Sequence, residues 1–196
     1  MKPILVLYAT REGQTRRIAE HIVSTLRAHN RQAESMDVAK LPPQLELEGY
    51  AAVVLAASIH FGKHEREMVS FVREHRDALE KLPNVFLSTS MTEAGAELAS
   101  HTPAERERAH AEVERAIEEF FKATGFRAQQ HKAVAGALLY TQYNWLLRLV
   151  MKHISKTEGA STDTSRDHEY TDWVALDRFV VGLLRTSFLE SKGDAH

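Results

Sequence analysis

The chain of 196 residues contains no cysteine. That absence excludes a disulfide framework, a thiolate zinc or iron–sulfur centre and a catalytic thiol. It also lacks an excess of either charge, with 25 Lys+Arg against 27 Asp+Glu and a formal net charge of −2. A strongly basic nucleic-acid binder and a strongly acidic carrier are both excluded. Proline is scarce, at 5 residues, and Pro42-Pro43 serves to break the chain before the third apolar run. No uncharged apolar run approaches the ~20 residues needed to span a bilayer. No secretory leader is expected either, since Met1-Lys2-Pro3 runs directly into Ile4-Leu5-Val6-Leu7-Tyr8, which reads as a strand. The expectation is a cytoplasmic protein forming one globular domain over 1–196.

What is present alternates. Residues 4–9, 53–57, 85–88 and 134–139 are nearly continuous apolar runs, as expected of strands covered on both faces. The run 33–38 mixes Ala, Met and Val with Glu, Ser and Asp, which places it at a sheet edge. Ile18, Ile22 and Leu26 recur at helical spacing after the first strand, and Met68, Val72 and Leu79 form one stripe after the third. Thr102, Pro103 and Glu105 spell a capping box ahead of Val113, Ile117 and Phe121, with Gly125 suited to the helix end. A last helix opens at Thr171 and buries Leu176, Val180 and Leu183. This order predicts an α/β fold with a five-stranded parallel sheet, order 2-1-3-4-5, and helices on both faces.

Residues 140–170 are too long for an ordinary loop. Leu146, Leu147, Val150, Met151 and Ile154 predict an apolar helix face there, and Arg148, Lys152 and Lys156 a basic one, behind Tyr140, Tyr143 and Trp145. An inserted amphipathic helix is expected. Its bland use is to pack on the protein and expose the basic face.

Thr10-Arg11-Glu12-Gly13-Gln14-Thr15 lies between the first strand and first helix. Unpaired N–H groups at a helix N-terminus suit a phosphate, the threonines add hydroxyls, and Gly13 permits close approach. Arg16 and Arg17 fall where the helix dipole disfavours cations, a cost that a bound dianion would offset. The loop lacks both a Walker lysine and a dinucleotide glycine pattern. Ser58-Ile59-His60-Phe61-Gly62-Lys63-His64 follows the third strand as a strand-to-helix loop at the topological switch point, where ligands bind. Phe61 or His60 can stack on a planar ring. Ser88-Thr89-Ser90-Met91-Thr92 leaves the fourth strand on the same side, either lining a ring's edge or simply solvated. The 11 histidines, His60, His64 and His75 among them, show no metal-ligand spacing, so no metal is expected.

Residues 10–15 resemble the phosphate loop of flavodoxins. Ala57-Ser58-Ile59-His60-Phe61-Gly62, Ala135-Gly136-Ala137-Leu138-Leu139-Tyr140, Thr162-Asp163-Thr164 and Tyr170-Thr171-Asp172-Trp173 resemble the flavodoxin-like bacterial protoporphyrinogen IX dehydrogenases, which carry a long insert before the last helix. The resemblance implies FMN as cofactor and oxidation of protoporphyrinogen IX to protoporphyrin IX in haem synthesis. Electrons would pass to a membrane quinone, typically menaquinone. It implies phosphate contacts from Thr10, Arg11, Glu12, Gly13, Gln14 and Thr15. Isoalloxazine contacts would come from Ser58, Ile59, His60, Phe61 and Gly62, and further ones from Ser90, Met91 and Thr92. His60 is the candidate proton acceptor, while Trp145, Arg148, Lys152 and Lys156 of the insert are candidates for meeting substrate or the inner face of the membrane. A flavodoxin-type electron carrier, an NAD(P)H:quinone reductase and an FMN-sequestering regulatory module remain the competing readings.

Overall fold

The computed structural model describes residues 2–97, 101–138 and 168–186. The expected inserted helix, with Trp145, Arg148, Lys152 and Lys156, lies outside the described residues.

Strand β1 (Ile4–Ala9) is buried at every position, which requires a cover on each face. Because side chains alternate along a strand, Ile4, Val6 and Tyr8 meet one layer and Leu5, Leu7 and Ala9 the other. The first layer is α1 (Gln14–Ala28) with α6 (Trp173–Arg185), packed through Ile18, Ile22, Leu26, Leu176, Val180 and Leu183. The second is α2 (Arg66–Glu74), α3 (Arg76–Leu79) and α5 (Pro103–Thr124), packed through Met68, Val72, Leu79, Ile117 and Phe121. Between the layers, β2 (Ala33–Asp37), β1, β3 (Ala52–His60), β5 (Asn84–Ser90) and β6 (Gln130–Ala135) form a parallel sheet in the order β2-β1-β3-β5-β6. This is the expected 2-1-3-4-5 order, with β2 at an edge. The strand count differs because β4 (Lys63–His64) folds back antiparallel onto β3.

The capping box of α5 is complete. The Thr102 hydroxyl accepts from the Glu105 N–H, the Glu105 carboxylate accepts from the Thr102 N–H, and Gly125 ends the helix at φ 68. Four expectations need correction. The single stripe after the third strand is two helices, broken at His75. Residues after β5 form a short helix, α4 (Met91–Glu97), instead of a loop. The last strand begins at Gln130, four residues earlier than its apolar run, and its apolar end continues past Gly136 as β7 (Ala137–Leu138) paired with β8 (His168–Glu169). Edge strands carry polar residues on their open side, so periodicity hides the start of β6. The last helix starts at Trp173, with Asp172 as its cap, so Thr171 lies outside it. Among the described residues, no helix is long and apolar enough to cross a membrane.

Candidate functional site

The parallel register aligns the carboxyl ends of β1, β3 and β5, so the three segments singled out in the sequence meet at one rim. At the end of β1 the chain turns through Gly13, at φ 91, into α1, whose N-terminus has no side-chain cap. A Cβ on Gly13 would touch nothing within 4 Å, so the left-handed backbone and not crowding selects glycine there. The Gly13 N–H donates to Thr10 Oγ1 at 3.0 Å. Thr15, in the first helical turn, is fully buried, and its hydroxyl has no hydrogen-bond partner among the described residues. Arg16 and Arg17, by contrast, do not call for a bound dianion. Arg16 pairs with Glu20 at 2.8 Å and Arg17 with Glu169 at 3.0 Å, so the protein itself meets both charges.

Gln14 is also buried, and its amide joins distant parts of the chain. Nε2 donates to Thr171 Oγ1 at 2.9 Å and to Glu169 Oε1 at 2.8 Å, and Thr171 in turn donates to the Ala135 carbonyl at 2.7 Å. Trp173 stacks obliquely on His21 of α1, with ring centroids 4.7 Å apart. The Tyr170–Trp173 stretch therefore ties the loop at 10–15 to the end of β6.

The second segment differs from its expected form. Ser58, Ile59 and His60 continue β3, and Phe61 and Gly62 make a two-residue turn into β4, both at positive φ (50° and 75°). Both central residues of a tight hairpin turn adopt such values in the form that matches strand twist. Phenylalanine there is unusual, and its side chain is 83% exposed. His60 is held elsewhere, with Nε2 at 3.4 Å from Glu12 and 3.5 Å from Glu65. Of the two candidate stacking rings, Phe61 is the free one.

Glu65, which no sequence pattern singles out, is the hub of this hairpin. Its buried carboxylate accepts from Arg11 Nε at 3.1 Å and from Ser58 Oγ at 3.2 Å, and its N–H donates to the Ser58 carbonyl. Arg11 thus turns toward the hairpin and links the first segment to the second. No periodic or motif signal marks Glu65, because its partners lie at unrelated spacings. Its neighbour His64 is buried between the Phe86 and Phe120 rings, with Nε2 2.9 Å from Ser88 Oγ. Burial pushes its pKa down to about 4, so the ring is neutral.

In the third segment Ser88, Thr89 and Ser90 are buried rather than solvated. Ser90 Oγ accepts from the Glu93 N–H and so starts α4, while the Ser90 carbonyl accepts from the Gly136 N–H at 2.9 Å. Thr89 Oγ1 is buried without a hydrogen-bond partner among the described residues. Met91 and Thr92, in the first turn of α4, are half-buried at the rim.

A doubly wound parallel sheet whose β1–α1 loop and β3 hairpin meet at the switch point defines a flavodoxin-like protein. Solved structures agree on the fold. A flavodoxin from the domain Archaea superposes with a TM-score of 0.51 at 13% identity, covering 94% of this chain and 97% of that one. A short-chain flavodoxin associated with a non-canonical PDU bacterial microcompartment gives 0.50 at 16% identity, covering 95% and 99%. The flavodoxin domain family matches residues 5–165. Among curated relatives, protoporphyrinogen IX dehydrogenase (quinone) of Escherichia coli K12 is 32% identical over 175 residues, 89% of this chain and 91% of the relative. The like-named protein of Leishmania major is 28% identical over 176 residues, 89% of this chain and 71% of the relative. The chain belongs to the protoporphyrinogen IX dehydrogenase (quinone) family of flavodoxin-domain proteins.

Proposed function

We propose that this protein is an FMN-dependent dehydrogenase that oxidises protoporphyrinogen IX to protoporphyrin IX and passes the electrons to a quinone. The observation that carries the reading is the 32% identity to the Escherichia coli enzyme across nearly the full length of both chains.

The residues present suit the cofactor. The buried, unpartnered Thr15 hydroxyl and the uncapped first turn of α1 are donors in need of an anionic acceptor, which the FMN phosphate supplies. Thr10, Arg11, Glu12, Gly13 and Gln14 complete that loop, with Gln14 stapling it through Thr171. The hairpin residues Ser58, Ile59, His60, Phe61 and Gly62 meet the isoalloxazine from one side, Phe61 through its ring and the rest chiefly through the main chain. Ser90, Met91 and Thr92 close the other side. Bound FMN supplies the hydride acceptor, and the protein supplies binding, orientation and electrostatics. His60 Nε2, 3.4 Å from Glu12 and 3.5 Å from Glu65, is the proton acceptor in this reading.

We read 1–196 as one flavodoxin-like domain with an insertion at about 140–170. Trp145, Arg148, Lys152 and Lys156 of that insertion are assigned to the substrate or to peripheral contact with the cytoplasmic face of the membrane, where the quinone dissolves. The test is anaerobic mixing of FMN-loaded protein with protoporphyrinogen IX, then with a quinone. Bleaching of the flavin band followed by recovery is expected. A flavin that stays oxidised in excess porphyrinogen would overturn the assignment, and bleaching by NAD(P)H alone would favour a quinone reductase.

A further inference from the structure

On the side of the hairpin facing α2 and α5 lies a cavity of about 500 Å³, within the range of sites for drug-sized ligands. His60 and Gly62 line it and also belong to the segment that meets the flavin, so the cavity opens beside the redox site. Its wall is apolar, formed by Val69 of α2 and by Ala116 and Phe120 of α5. Its rim is cationic. Arg11 is matched by the buried Glu65, but Lys63 and Arg66 are exposed and make no ion pair among the described residues. Among the described residues lining the cavity, Glu119 is the one acid left to oppose them. His64, also in the lining, adds no charge because burial keeps it neutral. Arg66 stands in the first turn of α2, where the helix dipole disfavours a cation. Helix stability therefore does not explain its presence.

An apolar wall with two unmatched cations at the rim complements a hydrophobic tetrapyrrole that carries carboxylates, whether the puckered porphyrinogen or its planar oxidised product. We propose that this cavity seats the propionate-bearing edge of the porphyrinogen, with its carboxylates on Lys63 and Arg66 and a pyrrole edge against Val69 and Phe120. This places the rest of the macrocycle toward His60 and Gly62. The inference rests on the dehydrogenase reading and adds to it the residues that select a dicarboxylic tetrapyrrole. A neutral quinone would use the wall and ignore the rim.

The test uses the FMN-loaded full chain and follows the Soret band of protoporphyrin IX, the dicarboxylate product, during titration. The dimethyl ester of the same porphyrin, in the same mild detergent, reports binding without charge. Lys63→Gln combined with Arg66→Gln is expected to weaken the diacid about tenfold, with the ester, the FMN content and the melting temperature unchanged. Ala116→Trp, which fills the cavity from α5, is expected to weaken both porphyrins and keeps the test decisive if the double variant fails to fold. Diacid binding as tight in the double variant as in the wild type, or as tight in the Ala116→Trp variant, would overturn the assignment while turnover by the wild type leaves the dehydrogenase reading standing. A wild type that neither binds the porphyrin nor oxidises the porphyrinogen removes both.

Discussion

Between β1 and α1 the chain meets the rim with main-chain groups and threonine hydroxyls, whereas between β3 and α2 it builds the rim from packed and charged side chains. The first segment (10–15) owes its shape to one left-handed glycine and an uncapped helix end, and its buried Thr15 hydroxyl waits for a partner. The second (58–65) is held by Glu65, whose carboxylate is already engaged by Arg11 and Ser58, and by His64 wedged among phenylalanines. One region leaves donors free for a ligand that brings the charge. The other spends its polar groups internally and offers a ring and a backbone edge. The phosphate end of FMN needs the former, and its neutral ring system the latter.

Within this contrast the hairpin carries a pH-dependent part of the fold. In the unfolded chain the His64 imidazole titrates near 6.5, and in the native protein burial lowers that to about 4. Above the unfolded value both states are neutral and the residue contributes no pH dependence. As the pH falls from 6.5 toward 4, the unfolded chain takes up a proton that the native ring refuses. Stability therefore declines through that window, by up to about 3 kcal/mol, and the decline from this residue stops below it. His64→Gln keeps a hydrogen-bonding group near Ser88 but cannot titrate. Its urea-unfolding free energy is expected to change about 2 kcal/mol less than the wild type's between about pH 7 and about pH 5. Equal changes in the two proteins would show that the hairpin does not hold a neutral imidazole.

Thr15→Val tests the other loop, with a smaller effect and a split sign. The substitution conserves shape and removes a buried hydroxyl that no atom of the described residues satisfies. The FMN-free protein is expected to gain about 1 kcal/mol in urea unfolding, because an unpaired buried polar group is costly. FMN affinity, read from fluorescence titration, is expected to fall about tenfold. Unchanged affinity would mean that the hydroxyl does not face the phosphate, and the contrast between the loops would lose its first half.

Much of the scaffold was legible because its signals are local or continuous. Thr102, Pro103 and Glu105 lie within one turn of each other and report the start of α5 without reference to the rest of the fold. The unbroken run of β1 declares a strand buried on both faces. The parts that were missed depend on partners far along the chain. Gln14 and Thr171 bond across 157 positions, and nothing in either neighbourhood announces the other. Glu65 looks like an ordinary charge at a helix start, and only the fold brings Arg11, Ser58 and His60 around it. Ser58-Ile59-His60 reads as a loop because its polar ends mask a strand that goes on to form a hairpin. The site's location was therefore readable from the order of strands, while the side chains that organise it were not.

Phe61 gives the smallest stability effect and separates the two halves of the comparison within one residue. A phenylalanine at φ 50 with its ring 83% exposed is held against its own preference and gains little from burial. The left-handed conformation costs a non-glycine residue about 1–2 kcal/mol. Glycine removes that strain but loses about 0.5–1 kcal/mol through the greater freedom of the unfolded chain. Phe61→Gly is therefore expected to raise the stability of the FMN-free protein by about 0.5–1 kcal/mol, read as a higher melting temperature. The same change deletes the ring offered to the flavin, a stacking contact of about 1 kcal/mol, so FMN affinity should fall several-fold. Phe61→Ala keeps the strain and loses the ring, so it should weaken FMN equally with no gain in stability. If Gly and Ala raise the melting temperature alike, the turn is not strained. If neither affects FMN, the ring at the hairpin tip faces something other than the flavin, and the cavity beside it becomes the first place to look.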